Sequence, residues 1–172
     1  DIGLEAICKS LMKNISLQTF YIENNGITDE GAGNLSDMLG NKPKLKKLNV
    51  GYNGITDKGM KYIFESIVSH KHLDLLNLSR TKMTHDSVEA LSTCLLNKTM
   101  LVKLYLDGNN IGPEGAMLLA DGLMDNTNLM NLHLSNCNIG KDGARALSPI
   151  FGNKKNLSIL DLNNNRIQTD GC

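Results

Sequence analysis

The sequence predicts an α/β fold, a right-handed βα solenoid with a parallel sheet on its concave face and helices on its convex face. Three observations lead there. A unit of 28 residues repeats without slippage, led by Leu17, Leu45, Leu73, Leu101, Leu129 and Leu157. Within each unit the apolar spacing changes from two to about four, which marks a half-buried strand giving way to an amphipathic helix. Turn and cap residues recur between the two patterns at fixed offsets. Each unit buries its apolar face only against its neighbours, so the core is a stripe that grows repeat by repeat.

Strands come first in each unit. In LKKLNVGYNGITDKGMKYIFESIVSHKH, Leu48 and Val50 alternate with Asn49. Their columns continue as Phe20, Leu76, Leu104, Leu132, Leu160 and as Ile22, Leu78, Leu106, Leu134, Leu162. The column Asn25, Asn53, Thr81, Asn109, Cys137, Asn165 turns inward after each strand. Asn can bond backbone groups on both sides of that turn, and Thr81 and Cys137 satisfy fewer of them.

Helices follow. Gly59, Ile63 and Ile67 are spaced by four, and the same columns hold Leu35 and Leu39, Leu91 and Leu95, Leu119 and Leu123, Leu147 and Phe151. Thr28, Thr56 and Thr84 stand at N-cap positions, where a hydroxyl can accept an orphan N–H. Gly112 takes that place in the fourth unit, and Pro113 follows at the first helical position. Gly31, Gly59, Gly115 and Gly143 are expected to let the first helical turn approach the strand layer, with Ser87 as the exception. Pro149 is expected to end or kink the fifth helix and free a carbonyl near Arg145. Alternating strand and helix gives parallel strands with right-handed crossovers. Strands about 4.8 Å apart beneath helices that need about 10 Å bend the stack into an arc.

Lys plus Arg and Asp plus Glu are 18 each, so the formal charge is zero, which removes the electrostatic case for nucleic acid or an anionic membrane. No apolar run approaches the roughly 20 residues that span a bilayer. Cys8, Cys94, Cys137 and Cys172 are scattered, without CxxC or a clustered disulfide framework, so the expected compartment is reducing and cytoplasmic. No second ligand stands at metal spacing from Cys137; no metal or cofactor is expected. Sequons at Asn14, Asn34, Asn77, Asn97 and Asn156 read as chance in an Asn-rich chain.

The pattern LxxLxLxxNxI followed by a capped helix resembles the leucine-rich repeat. The 28-residue length, NNGITDEGAGNLSDML and NNIGPEGAMLLADGL are similar to the ribonuclease-inhibitor-like subtype. The chain has no Trp, and the regular NxIxxxGaxxLaxxL pattern most resembles the C-terminal repeats of NOD-like receptors. The resemblance implies a leucine-rich-repeat horseshoe and a non-catalytic protein-interaction or ligand-recognition module, the sensor segment of a cytosolic innate immune receptor. The alternatives it leaves are a free-standing regulator, of ribonuclease-inhibitor or Ran GTPase-activating type, and a cytoskeletal or ciliary scaffold. Residues 1–16 match the second half of a repeat and 157–172 the start of another, so the chain reads as one domain of a longer array. Its last strand, near Leu160, is an open edge and a template for head-to-tail self-association.

Three residues per strand face the concave side. The candidates for a protein partner there are Tyr21, Glu23, Lys47, Lys103, Tyr105, Asp107, His133 and Asp161, with Tyr52 and Arg80 at the edge. Tyrosine is a favoured interface anchor. Ser135, His133 and Asp161 invite a nucleophile–base–acid reading. Same-face neighbours on a strand are about 6.8 Å apart, however, and an open sheet offers no oxyanion donors, so no catalysis is expected. Asp29, Glu30, Asp57, Asp86, Glu114, Asp142 and Asp170 stand at helix starts. Lys42, Lys44, Lys71, Lys98, Lys154, Lys155, His70 and His72 follow helix ends. The two rims are expected to carry opposite charge, complementing the helix dipoles.

Overall fold

A computed structural model describes residues 1–68, 70–96, 100–153 and 155–168. Among the described residues six helices alternate with six three-residue strands: α1 (Ile2–Leu11), β1 (Thr19–Tyr21), α2 (Asp29–Leu39), β2 (Lys47–Asn49), α3 (Asp57–Ile67), β3 (Leu75–Asn77), α4 (His85–Leu96), β4 (Lys103–Tyr105), α5 (Gly112–Leu123), β5 (Asn131–His133), α6 (Gly140–Asn153) and β6 (Ile159–Asp161). The strands form one parallel sheet in chain order. Every pairing joins residues 28 apart, so Leu48, Leu76, Leu104 and Leu132 lie side by side. This is the βα solenoid that the repeat predicts. The two strand columns and the helix stripe meet in one continuous core, with Leu48, Leu104, Leu106, Ile63 and Leu119 all fully buried. No helix among the described residues is long and apolar enough to cross a membrane.

The strands are short, yet pairing continues past them. Asn24, Tyr52, Arg80, Gly108, Asn136 and Asn164 all have φ between +51° and +70°. This turn aims each backbone N–H sideways, so that Tyr52 donates to Ser79 O at 2.7 Å, Arg80 to Asp107 O at 2.7 Å and Gly108 to Ser135 O at 2.8 Å. The left-handed conformation suits Gly and Asn and strains the longer Tyr52 and Arg80 side chains.

The Asn column bridges units more widely than its own turn. Asn53 Oδ1 accepts from the N–H groups of Asn25 and Ile27, and its amide donates to the carbonyls of Ile22, Val50 and Gly51. Asn109 and Asn165 repeat the arrangement. Thr81 and Cys137 are buried in the same column and bond fewer groups: Thr81 Oγ1 has one proton to share between Leu78 O and Asn109 Oδ1, and Cys137 Sγ contacts Leu106 O at 3.3 Å.

Two of the three threonine caps are corrected by the structure, while at the third Thr84 Oγ1 accepts from Asp86 N at 3.4 Å. Thr28 and Thr56 make no side-chain cap bond to their own helices. Their hydroxyls donate instead to an aspartate of the preceding unit. Asp29 accepts from Thr56 N at 2.7 Å and Thr56 Oγ1 at 2.6 Å; Asp57 accepts from Thr84 N at 2.7 Å and Thr84 Oγ1 at 2.8 Å; Asp1 receives Thr28 in the same way. A carboxylate accepts charge-assisted bonds that a neutral cap cannot match. Asp29 also explains Gly59. A Cβ on Gly59 would stand 2.5 Å from Asp29 Oδ1 and 2.7 Å from Ile55 Cγ2, so the close approach is to the neighbouring unit's aspartate and to its own isoleucine. Helix α5 is counted from Gly112 itself, with Ile111 before it.

Burial acts to raise the Asp57 carboxyl, but bonds from Thr84 and Ser87 outweigh it and hold the group below the usual carboxylate range. A depressed carboxyl contributes stability above its unfolded value, and that contribution is lost as pH falls through the folded value. Asp57→Asn is therefore expected to lower stability by about 1–2 kcal/mol at neutral pH. It should also flatten the loss of stability below about pH 4 relative to the parent chain, as read by urea unfolding across pH.

Other expectations shift. Pro149 does not end α6, which runs through it; the Arg145 carbonyl accepts from Ser148 Oγ at 3.0 Å. Lys42 is 1 % exposed and does not join a solvated basic rim. Its ammonium reaches Asn41 O at 3.3 Å, and burial pushes its pKa down, partly countered by Cys8. His70 is half-buried with Nε2 3.0 Å from Leu39 O, and burial lowers its pKa as well. Asp29 and Asp57 serve as inter-unit caps more than as a charged rim. Asn97, Lys98, Lys154, Asp170, Gly171 and Cys172 lie outside the described residues. Cys8, Cys94 and Cys137 are free and buried, which raises their thiols to about 11, about 12 and about 12.

Candidate functional site: the concave sheet

Alternation along β1 to β6 turns one residue per strand into the core and leaves its neighbours on the concave side. The ten candidates sort into five groups. Tyr21 stands alone, 54 % exposed at the first edge. Glu23 accepts a hydrogen bond from the Asn49 amide, which leaves Asn49 nearly buried. Asn49 and Asn77 cap the backbone after their strands, donated to by Gly51 N and Ser79 N, so the middle of the sheet is a self-satisfied ladder. Lys47 and Lys103 flank half-buried Leu75 and, with Asp74 and Val102, line a shallow groove of about 190 Å³.

Tyr52 and Arg80 meet at the rim. The Arg80 guanidinium lies 5.4 Å from the centre of the Tyr52 ring, within cation–π range. Gly108, next in the column, makes room: a Cβ there would stand 2.7 Å from Arg80 Cγ. Two strained side chains in one column, packed on each other and exposed, form a fixed ledge beside the sheet.

The fifth group is the densest. Tyr105 and His133 are register partners on β4 and β5, and their rings stack with centroids 4.5 Å apart at 24°. His133 and Asp161 are partners on β5 and β6, with Nδ1 3.9 Å from Asp161 Oδ2. Asp107, two residues beyond Tyr105, brings its carboxylate to the same place and accepts from Ser135 N at 2.8 Å. The Asp161 carboxyl is held below the usual range first by the Asn163 N–H, then by the Ser135 hydroxyl and by His133. Ser135 thus serves Asp161, and no serine–histidine pair is formed among the described residues. Tyr105, His133 and Asp161 stand in one row across β4, β5 and β6, and Asp107 reaches that row from beyond its strand.

Larger hollows lie on the rim. One of about 350 Å³ is lined by Gly40, Asn41, Pro43, His70, Lys71 and His72, and another of about 390 Å³ by Leu95, Leu96, Asp125, Asn126, Thr127 and Asn128.

Among solved structures, the chain is similar to Leiomodin-1 Actin-Binding Site 2, with 19 % identity, 89 % of this chain and 90 % of that one covered, and a TM-score of 0.65. It is also similar to the tropomodulin C-terminal domain of Caenorhabditis elegans, with 17 % identity, 87 % and 91 % covered, and a TM-score of 0.71. At these identities the likeness is one of fold. No curated protein matches the sequence. The Leucine Rich repeat family model matches residues 13–36, 41–64, 97–120, 125–148 and 153–172, leaving out the unit in which Thr81 and Ser87 depart from the repeat. With more than half of its residues matched and every strand and helix in the order the repeat requires, the chain belongs to the leucine-rich repeat family.

Proposed function

We propose that this chain is a protein-recognition module without chemistry of its own, which holds its partner on the C-terminal half of the concave sheet and on the Tyr52–Arg80 ledge. The observation that supports this is the Tyr105–His133–Asp161 row. It places a stacked aromatic pair and anchored carboxylates side by side on three adjacent strands, a rigid amphipathic patch of the kind interfaces use as anchors. The ribonuclease-inhibitor-like repeat signature favours the sensor segment of a cytosolic NOD-like receptor as the setting. Free, buried thiols accord with a reducing compartment.

The test compares partners captured by the wild-type chain with those captured by surface variants, followed by affinity measurement on the purified partner. Tyr105→Ala and Arg80→Asn should each weaken binding, and Arg80→Asn should leave the melting temperature unchanged or higher because Asn tolerates the left-handed turn. Glu89→Ala and Met117→Ala, on the exposed helix face, should leave binding unchanged. Loss of binding only in the helix-face pair would overturn the reading.

A cytoskeletal scaffold is the second reading, favoured by one observation: the matched leiomodin-1 domain is an actin-binding site and is covered over nearly its whole length. Co-sedimentation with actin filaments separates the two. The receptor reading expects the chain to stay in the supernatant; saturable pelleting, reduced by Tyr105→Ala, would establish the scaffold instead.

A further inference from the structure

We propose that Asp107, His133 and Asp161 form a binding site for one divalent transition-metal ion of the zinc class on the concave sheet. The inference stands on side-chain geometry and is independent of whether a protein partner binds there.

Three consecutive units each supply one ligand. A carboxylate oxygen of Asp107, a ring nitrogen of His133 and a carboxylate oxygen of Asp161 all lie within 4.8 Å of one another. A point therefore exists within about 2.8 Å of all three, whereas zinc sits about 2.0–2.2 Å from imidazole and carboxylate ligands. Small side-chain rotations close that difference. The supports that do exist orient the ligands. Asn163 N donates to Asp161 Oδ1 at 3.0 Å and Ser135 N donates to Asp107 Oδ1 at 2.8 Å. Backbone N–H groups thus anchor one oxygen of each carboxylate, with the Ser135 hydroxyl also bonding Asp161, Asp161 Oδ2 turned toward His133, and Asp107 Oδ2 accepting a long bond from Ser79 Oγ at 3.5 Å. Tyr105 stacks on the imidazole and fixes its plane. Backing of this kind is what tunes and orients metal ligands.

Charge is the second, separate argument. Two carboxylates converge here, and among the described residues neither pairs with a Lys or Arg. The His133–Asp161 separation of 3.9 Å is too long for a hydrogen bond, so the only nearby base is not bonded to the acid it faces. A cation between them would offset the repulsion and occupy that gap. One imidazole with two carboxylates selects a borderline metal; calcium and magnesium prefer all-oxygen sets. The side toward solvent is open, so water completes the coordination.

Calorimetric titration of the full chain with Zn²⁺, and with Co²⁺ to read the ligand set from its visible absorption, decides the matter. The expected result is one equivalent bound in the micromolar range, weakened about tenfold or more by His133→Ala and by Asp161→Asn. His85→Ala, which removes the exposed contacts of His85 with Asp86 and Glu114, should leave binding unchanged. Zn²⁺ should raise the melting temperature of the parent chain and of His85→Ala, and leave that of Asp161→Asn unmoved. Absence of saturable binding at millimolar metal, binding that survives both His133→Ala and Asp161→Asn, or binding that disappears with His85→Ala would each overturn the proposal. Asp161→Asn alone carries the test if His133→Ala fails to fold.

Discussion

Leu106→Ala is expected to lower the free energy of unfolding by about 2–5 kcal/mol. The side chain is fully buried just beyond β4, between Leu78 and Leu134 of the adjoining units, which are equally buried. Its backbone N–H is committed to His133 O at 2.9 Å, so the strand cannot slide to refill the space. The vacated volume stays a cavity, and its lining loses dispersion contacts as well as transfer free energy. Position matters too. A solenoid is held by nearest-neighbour interfaces, and a defect in the middle unit weakens the coupling of the units on both sides. Leu17→Ala, at a partly buried site in the first unit, should cost less. Urea unfolding of the two variants, compared by midpoint and slope, measures both effects.

Asn109→Ala should be comparably severe, at about 3 kcal/mol or more, although it removes almost no apolar surface. The side chain is 1 % exposed. Its oxygen accepts from Thr81 N at 3.1 Å and Thr81 Oγ1 at 2.9 Å; its amide donates to Leu78 O at 2.9 Å and Leu106 O at 2.8 Å. Alanine leaves Thr81 N buried without a partner and strips Leu78 O and Leu106 O of their amide donor, leaving them only Thr81 Oγ1 and Cys137 Sγ, so desolvation penalties appear inside the core. Asn25→Ala is the internal control. Asn25 is exposed and donates only to Glu23 O, so water can take over, and the loss should fall below about 1 kcal/mol. Similar losses at both sites would mean that the ladder between units is not what stabilises the turn.

The repeat made the strand register and helix stripe legible, because an apolar column with a fixed period of 28 has one way to bury itself. Residues that act between units were harder to read. Asp29 and Thr56 are 27 apart, and the N-cap rule is local, so Thr56 was assigned to its own helix when its hydroxyl belongs to the neighbouring aspartate. A glance down the Asp1, Asp29, Asp57 column beside Thr28, Thr56, Thr84 would have exposed the pairing. The left-handed column was masked by Tyr52 and Arg80, which hide the Asn and Gly preference of the other four positions. Charge alone puts Lys42 on a rim, but its side chain is buried, with the ammonium turned back to Asn41 O. The concave row from Tyr105 to Asp161 followed from strand phase. Asp107 did not, because a residue past the strand reaches the row only through the turn that Ser135 N stabilises.

Recognition and folding are assigned here to opposite faces of the same strands. The direct test is the stability of a chain carrying Tyr105→Ala, His133→Ala and Asp161→Ala together, measured by urea unfolding beside Leu106→Ala. Loss of one stacked pair and of the partly exposed bonds that Asn163 N and Ser135 Oγ make to Asp161 should cost about 1–2 kcal/mol, under the Leu106→Ala effect. A loss equal to or greater than that of Leu106→Ala would contradict the account and make the concave row part of what holds the solenoid together.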